Sequence, residues 1–117
     1  MATDTIVDVR LALKRLDGDR ALYNELVELY LQDTPLQLSL LETAITASNR
    51  NETERIAHSL KSASGTVGAT TVSEYSRKLE TAARTEGAEE LVVLFHAVED
   101  EFEKIQALLY EILVQGK

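Results

Sequence analysis

His58 and Lys61 stand three residues apart in the run Ala57-His58-Ser59-Leu60-Lys61-Ser62-Ala63-Ser64-Gly65-Thr66-Val67-Gly68-Ala69. On a helix that spacing puts an imidazole and an ammonium on one face. Ile56, Leu60, Ala63 and Val67 form an apolar stripe, and His58 lies about 160° from Leu60, so the ring is expected to point to water. Lys61, Ser62 and Gly65 fall within about 60° of it. An imidazole, with an ordinary pKa of about 6.5, is a neutral nucleophile near pH 7. Its attack on phosphorus gives a phosphoramidate, whose N–P bond is labile enough to pass the group on. Three supports would serve that chemistry: a cation for the phosphoryl oxygens, an acceptor that keeps the second ring nitrogen as N–H, and small neighbours that admit a large partner.

Lys61 is the candidate cation, a flexible point charge at i+3. The acceptor must come from another element. Ser73, Arg77, Glu80 and Arg84 recur at i, i+4, i+7 and i+11, a polar stripe beside the apolar face of a following helix. In an antiparallel hairpin this stripe can lie beside His58. Glu80 is then the candidate acceptor for the ring N–H, and Arg84 a candidate second cation. The competing reading is a surface ion pair between Glu80 and Arg84, worth about a few tenths of a kcal/mol. Ser62, Gly65 and Arg77 are candidate partner-contact positions on the same side. His96 lacks such a neighbourhood and reads as a surface residue. No His-Glu-x-x-His or similar pair suggests a metal site. No Walker A loop, Rossmann glycine pattern or kinase motif set is present, so the chain shows no means of binding ATP. A phosphoryl group would have to arrive from another protein's active site, where the Mg2+ and its acidic cluster would reside.

The elements that must position these groups are helical. One Pro, five Gly and long 3.6-residue periods predict an all-α chain. A short first helix is expected from Asp4 or Thr5 to Leu16, with Val9, Leu13 and Leu16 inward, ended by Asp17-Gly18. Asp19 caps a second helix from Arg20 to about Ala47. Leu22, Leu26, Leu29, Leu36, Leu40 and Ala44 keep one phase across Pro35, which predicts one kinked helix rather than a break at Asp33 or Thr34. Tyr23 and Tyr30 are read as core-edge packing. Asn51-x-x-Glu54 is a possible capping box opening the third helix, which Gly68 closes. Thr71-x-x-Glu74 is another for the fourth, with Val72, Tyr75, Leu79 and Ala82 inward and Gly87 as its terminator. The last helix is expected from Ala88 to Val114, with Leu91, Leu94, Val98, Phe102, Ile105, Leu109 and Ile112 on one side. Short turns make sequential helices antiparallel neighbours. The prediction is an antiparallel up-down four-helix bundle with a short additional N-terminal helix, a single domain over 1–117.

Composition narrows the functional classes. At 117 residues the chain suits one core. Its net charge of −8 argues against non-specific nucleic-acid binding. Residues 50–84 depart from that average, with Arg50, Arg55, Lys61, Arg77, Lys78 and Arg84 against Glu52, Glu54, Glu74 and Glu80. No run approaches the roughly 20 apolar residues of a membrane span, and the N-terminus lacks a signal-peptide pattern. There is no cysteine, which is compatible with a reducing cytoplasm. A cytoplasmic, monomeric protein is expected.

The run His58-x-Leu60-Lys61 followed by Ser64, Val67, Gly68 and Ala69 resembles the histidine-containing phosphotransfer (HPt) domain family. So do Gly18-Asp19-Arg20-Ala21-Leu22-Tyr23-Asn24-Glu25-Leu26, Asp33-Thr34-Pro35 and Leu79-Glu80-x-Ala82-Ala83-Arg84. The resemblance covers nearly the whole chain. It implies a four-helix bundle that relays phosphoryl groups between aspartates of receiver domains, in response regulators and hybrid histidine kinases. It implies that His58 is the phosphoacceptor, Lys61 the supporting lysine, and Glu80 a residue hydrogen-bonded to the imidazole, with a basic residue at Arg84 in some relatives. No cofactor is expected in the chain itself. The sequence departs from the family at Ser62, where glycine is usual; its hydroxymethyl could crowd the imidazole or hydrogen-bond the phosphoryl group. Two other readings stand beside this one: a helical interaction module that docks receivers without chemistry, and the substrate domain of a chemotaxis-type kinase phosphorylated in trans. The initial Met predicts a free-standing protein rather than a piece of a larger kinase.

Overall fold

The computed structural model describes residues 7–115. Helices α1 (Val9–Arg15), α2 (Arg20–Thr46), α3 (Arg50–Val67), α4 (Thr70–Ala82) and α5 (Ala88–Gln115) follow in order, with no strand among the described residues. The packed pairs run α2–α3, α3–α4, α4–α5 and α5–α2, which closes a four-helix ring, while α1 lies against α2 and α3. The directions alternate. Tyr23 near the start of α2 donates to the Val67 carbonyl at the end of α3, Arg50 opening α3 donates to the Ala83 carbonyl beyond α4, and Arg20 donates to Ile112 late in α5. A helix of 27 residues spans about 40 Å, which accounts for the 43 Å long axis.

Caps set the boundaries. Asp8, Asp19 and Asn49 each accept an N–H of the first turn that would otherwise lack a partner, from Leu11, Leu22 and Glu52. Asn49 thus opens α3, two residues ahead of the expected Asn51 box. The helix begins there because the Ser48–Asn49 turn returns the chain immediately: Ser48 takes a left-handed φ of 57°, and Asn49 N–H reaches back to the Ala44 carbonyl. Helix α1 starts at Val9 rather than at Asp4 or Thr5, because Val7 pairs instead with Ala69 in an antiparallel bridge. The part of that expectation covering residues 4–6 lies outside the described residues. No side chain caps α4, so the Thr71-x-x-Glu74 box does not form; α4 starts at Thr70, directly after the α3 turn. Gly68 makes that turn at φ 84°, letting Ala69 N–H reach the Ser64 carbonyl five residues back. A β-carbon on Gly68 would collide with the Asp8 backbone, whose N–H donates to the Gly68 carbonyl at 2.8 Å. Helix α4 ends at Ala82, so Gly87 does not terminate it; Gly87 instead offers its carbonyl to Leu91 at the start of α5.

Helix α2 is continuous through Pro35, but its buried face differs from the expected one. Leu22, Leu29, Leu36 and Leu40 are 38%, 60%, 64% and 52% exposed. The core row is Tyr23, Val27, Tyr30, Thr34, Leu38, Leu41 and Ile45, one residue along, with Leu31 also buried; of the expected row only Ala44 is buried. Both rows have 3–4 spacing. The tyrosine row wins because it buries larger side chains and because each hydroxyl finds a partner, Tyr23 on the Val67 carbonyl and Tyr30 on Ser64 Oγ at 2.7 Å. The tyrosines are therefore interior, not core-edge. Burial pushes the Tyr30 phenol up to about 12 despite its hydrogen bonds with Ser64 and Thr34. On α3 the expected stripe holds at Ile56, Leu60 and Val67, all buried; only Ala63 is exposed, with Ser64 buried beside it. On α5, Leu91, Val98, Phe102, Ile105 and Leu109 are buried as the periodicity predicts, joined by Phe95 and Leu113.

Candidate functional site

The site sits on the α3–α4 seam, in the middle of α3 and at the last turn of α4. His58 projects from α3 with its side chain 58% exposed. Its Nδ1 lies 2.7 Å from Glu80 Oε2 on α4. An ionised carboxylate only accepts hydrogen bonds, so Nδ1 carries the hydrogen. Nε2 has no hydrogen-bond partner among the described residues. In the neutral ring, Nε2 therefore holds the lone pair.

Glu80 serves two groups. Its Oε1 lies 2.8 Å from Lys61 Nζ, so one carboxylate bridges the imidazole and the ammonium of one helix from the next. The Glu80 side chain is only 16% exposed. Burial alone would raise its pKa, but the hydrogen bonds from Lys61 and His58 outweigh that and hold the carboxyl below the usual glutamate range. The register that brings Glu80 to His58 is fixed nearby: Ser73 Oγ donates to the Lys61 carbonyl at 2.9 Å. An added β-carbon on Gly65 would stand 3.6 Å from Ser73 Oγ, an ordinary contact. Packing of α4 therefore does not require glycine there, and the bare position leaves the surface beyond His58 open.

The remaining sequence candidates are distributed differently. Ser62 is exposed beside His58, its carbonyl accepting Thr66 Oγ1 at 2.9 Å. Arg84 pairs with Glu54, one turn before His58 on α3. Arg77 forks onto Glu74 of its own helix at 2.5 and 3.2 Å. Glu80 and Arg84 thus do not pair with each other; each reaches across to α3. His96 is exposed and 3.4 Å from Glu99. Sequence reasoning missed the double use of Glu80 and the Glu54–Arg84 pair, because both depend on the register between helices. The Arg55–Glu52 pair was visible in principle as an i,i+3 spacing.

The phase of α2 also leaves an apolar row facing outward. Leu26, Leu29 and Leu36 line an open groove of about 680 Å³ against Ser59, Ala63 and Arg55 of α3. Arg55, Ser59 and Ala63 lie about 60–140° round α3 from His58, so the groove occupies the neighbouring α2–α3 face and the ring does not line it.

A family model for the Hpt domain matches residues 25–108. The chain belongs to the Hpt domain family, whose members are phosphotransfer modules of two-component signalling that work with receiver domains and carry no ATP site of their own. Among solved structures, the chain is similar to the crystal structure of the HPT domain from an Hpt sensor hybrid histidine kinase from Shewanella. The TM-score is 0.82 at 22% identity, over 93% of this chain and 94% of that one. At that identity the likeness carries the fold, a helical bundle of the same build. No curated protein matches the chain. No helix among the described residues is long and apolar enough to cross a membrane.

Proposed function

We propose that the protein is a phosphorelay intermediate in which His58 carries the phosphoryl group. The observation behind this reading is the ring's geometry: Nδ1 tied to Glu80, Nε2 free, and the side chain more than half exposed. The Nε2 lone pair attacks the phosphorus of a receiver's aspartyl phosphate. The N–P bond forms, the P–O bond breaks, and the aspartate carboxylate leaves with the electron pair. The product ring carries both phosphorus and the Nδ1 hydrogen, a formal cation that the adjacent Glu80 carboxylate offsets. Attack by a second receiver's aspartate reverses these steps.

Lys61 supports the phosphoryl oxygens. In the resting state it leans on Glu80, and a dianionic phosphoryl group on Nε2 competes for it. Mg2+ is assigned to the receiver's acidic cluster. The groove beside α2 supplies an apolar surface on which a receiver docks transiently. Arg84 has a structural role in this scheme, fastening α4 to α3 through Glu54.

The test uses receiver domains charged with acetyl [32P]phosphate. The wild-type protein should acquire an acid-labile label. His58→Gln should abolish it while circular dichroism still reports a helical fold. Lys61→Ala should slow labelling without loss of helix. Label that survives His58→Gln ends the assignment, and a receiver bound stably without label makes the protein a docking module instead.

A further inference from the structure

The cations around His58 are almost all neutralised. Arg55 is held by Glu52, Lys61 by Glu80 and Arg84 by Glu54. Arg15 is different. It comes from the last turn of α1, is exposed, and donates from Nη1 to the Gly65 carbonyl at 3.4 Å. No carboxylate pairs with it among the described residues. Gly65 is about 20° out of phase with His58 and about 10 Å further along α3, so the guanidinium stands on the reactive face but beyond the ring. Its position is held by its element: Ala12 is fully buried, Val7 pairs with Ala69, and Asp8 N–H donates to Gly68. On a chain of net charge −8, an uncompensated cation at this place is a local point of attraction for an acidic surface.

We propose that Arg15 is a docking residue, whose guanidinium meets a surface carboxylate of the receiver at the rim of its phosphorylation site, outside the cluster that holds Mg2+. This rests on the phosphotransfer reading above and adds a determinant of partner capture to it. Arg15 lies too far along α3 to touch the reacting atoms, so it sets how readily the receiver seats and leaves the transfer step alone. A merely local role, as a second donor to a last-turn carbonyl of α3 that already accepts the Gly68 N–H, is the competing account.

The probe is the receiver domain that labels wild type fastest after charging with acetyl [32P]phosphate, titrated against each variant. R15E should raise the half-saturating receiver concentration by roughly three- to tenfold, leave the saturating rate within about twofold, and flatten the salt dependence. R15Q keeps a donor for the Gly65 carbonyl but no charge, and should show the same direction of change; R15K should restore wild-type behaviour. Half-saturation unchanged in R15Q and R15E, or a fall in saturating rate alone, overturns the proposal. A wild-type protein that no receiver labels overturns the phosphotransfer reading itself and this inference with it.

Discussion

Replacing Glu80 by Ala should slow phosphoryl transfer to His58 by roughly tenfold. The reasoning starts at the 2.7 Å contact between Glu80 Oε2 and His58 Nδ1. A hydrogen bond to a charged group contributes about 1.5–3 kcal/mol. The His58 side chain is 58% exposed, so water replaces part of that when the carboxylate is removed. About 1.4 kcal/mol is a fair remainder after that discount, which is a factor of ten in rate. The loss has two physical parts. Without its acceptor the ring also samples the tautomer with hydrogen on Nε2, which has no lone pair to attack with. The cationic product ring also loses its counter-charge. Releasing Lys61 from Glu80 Oε1 opposes the loss slightly by freeing the ammonium for the phosphoryl group. Glu80→Gln separates these parts, since an amide oxygen can still accept from Nδ1; it should cost less than Glu80→Ala. The assay is rapid-quench transfer from a charged receiver at saturation, paired with 15N NMR of the imidazole. Wild type should show hydrogen on Nδ1 in the neutral ring, and Glu80→Ala a mixture. A wild-type rate in Glu80→Ala, or an unchanged tautomer balance, would refute the argument.

The Glu80 carboxyl should titrate below exposed glutamates in a 13C NMR pH series, because hydrogen bonds from Lys61 and His58 outweigh its burial. The sign follows: the folded value is depressed, so the stabilisation is present above the ordinary glutamate value of about 4.3 and is lost as pH falls through the folded one. A midpoint at or above the ordinary value would contradict this. Gly68→Ala should destabilise the bundle by at least about 2 kcal/mol in denaturant unfolding, since it combines a left-handed φ with a backbone collision at Asp8. A change under about 0.5 kcal/mol would show that the Val7–Asp8 segment yields freely.

Much of this protein is legible along the chain because helical periods and turn chemistry are local. The outward face of His58 follows from the positions of Ile56, Leu60 and Val67, all buried. Gly68 and Asp19 mark ends that the structure keeps, since a left-handed turn and an N-cap need only neighbouring atoms. The pairing of Glu80 with His58 was within reach because a two-residue turn forces α3 and α4 into one hairpin. What stayed hidden depends on choices between equals. Helix α2 offers a leucine row and a tyrosine row one residue apart, and periodicity scores both. Only packing against α3, where the Val67 carbonyl and Ser64 Oγ partner the tyrosine hydroxyls, turns one inward and leaves Leu29 and Leu36 on the α2–α3 groove.

The chain by itself therefore determined an all-α build and the outward face that His58 occupies, because those follow from a repeat of 3.6 residues. The tertiary structure decided which carboxylate serves which cation and which apolar row meets solvent. Both are set by register and rotation between helices, which are settled by the summed fit of side chains from distant parts of the sequence.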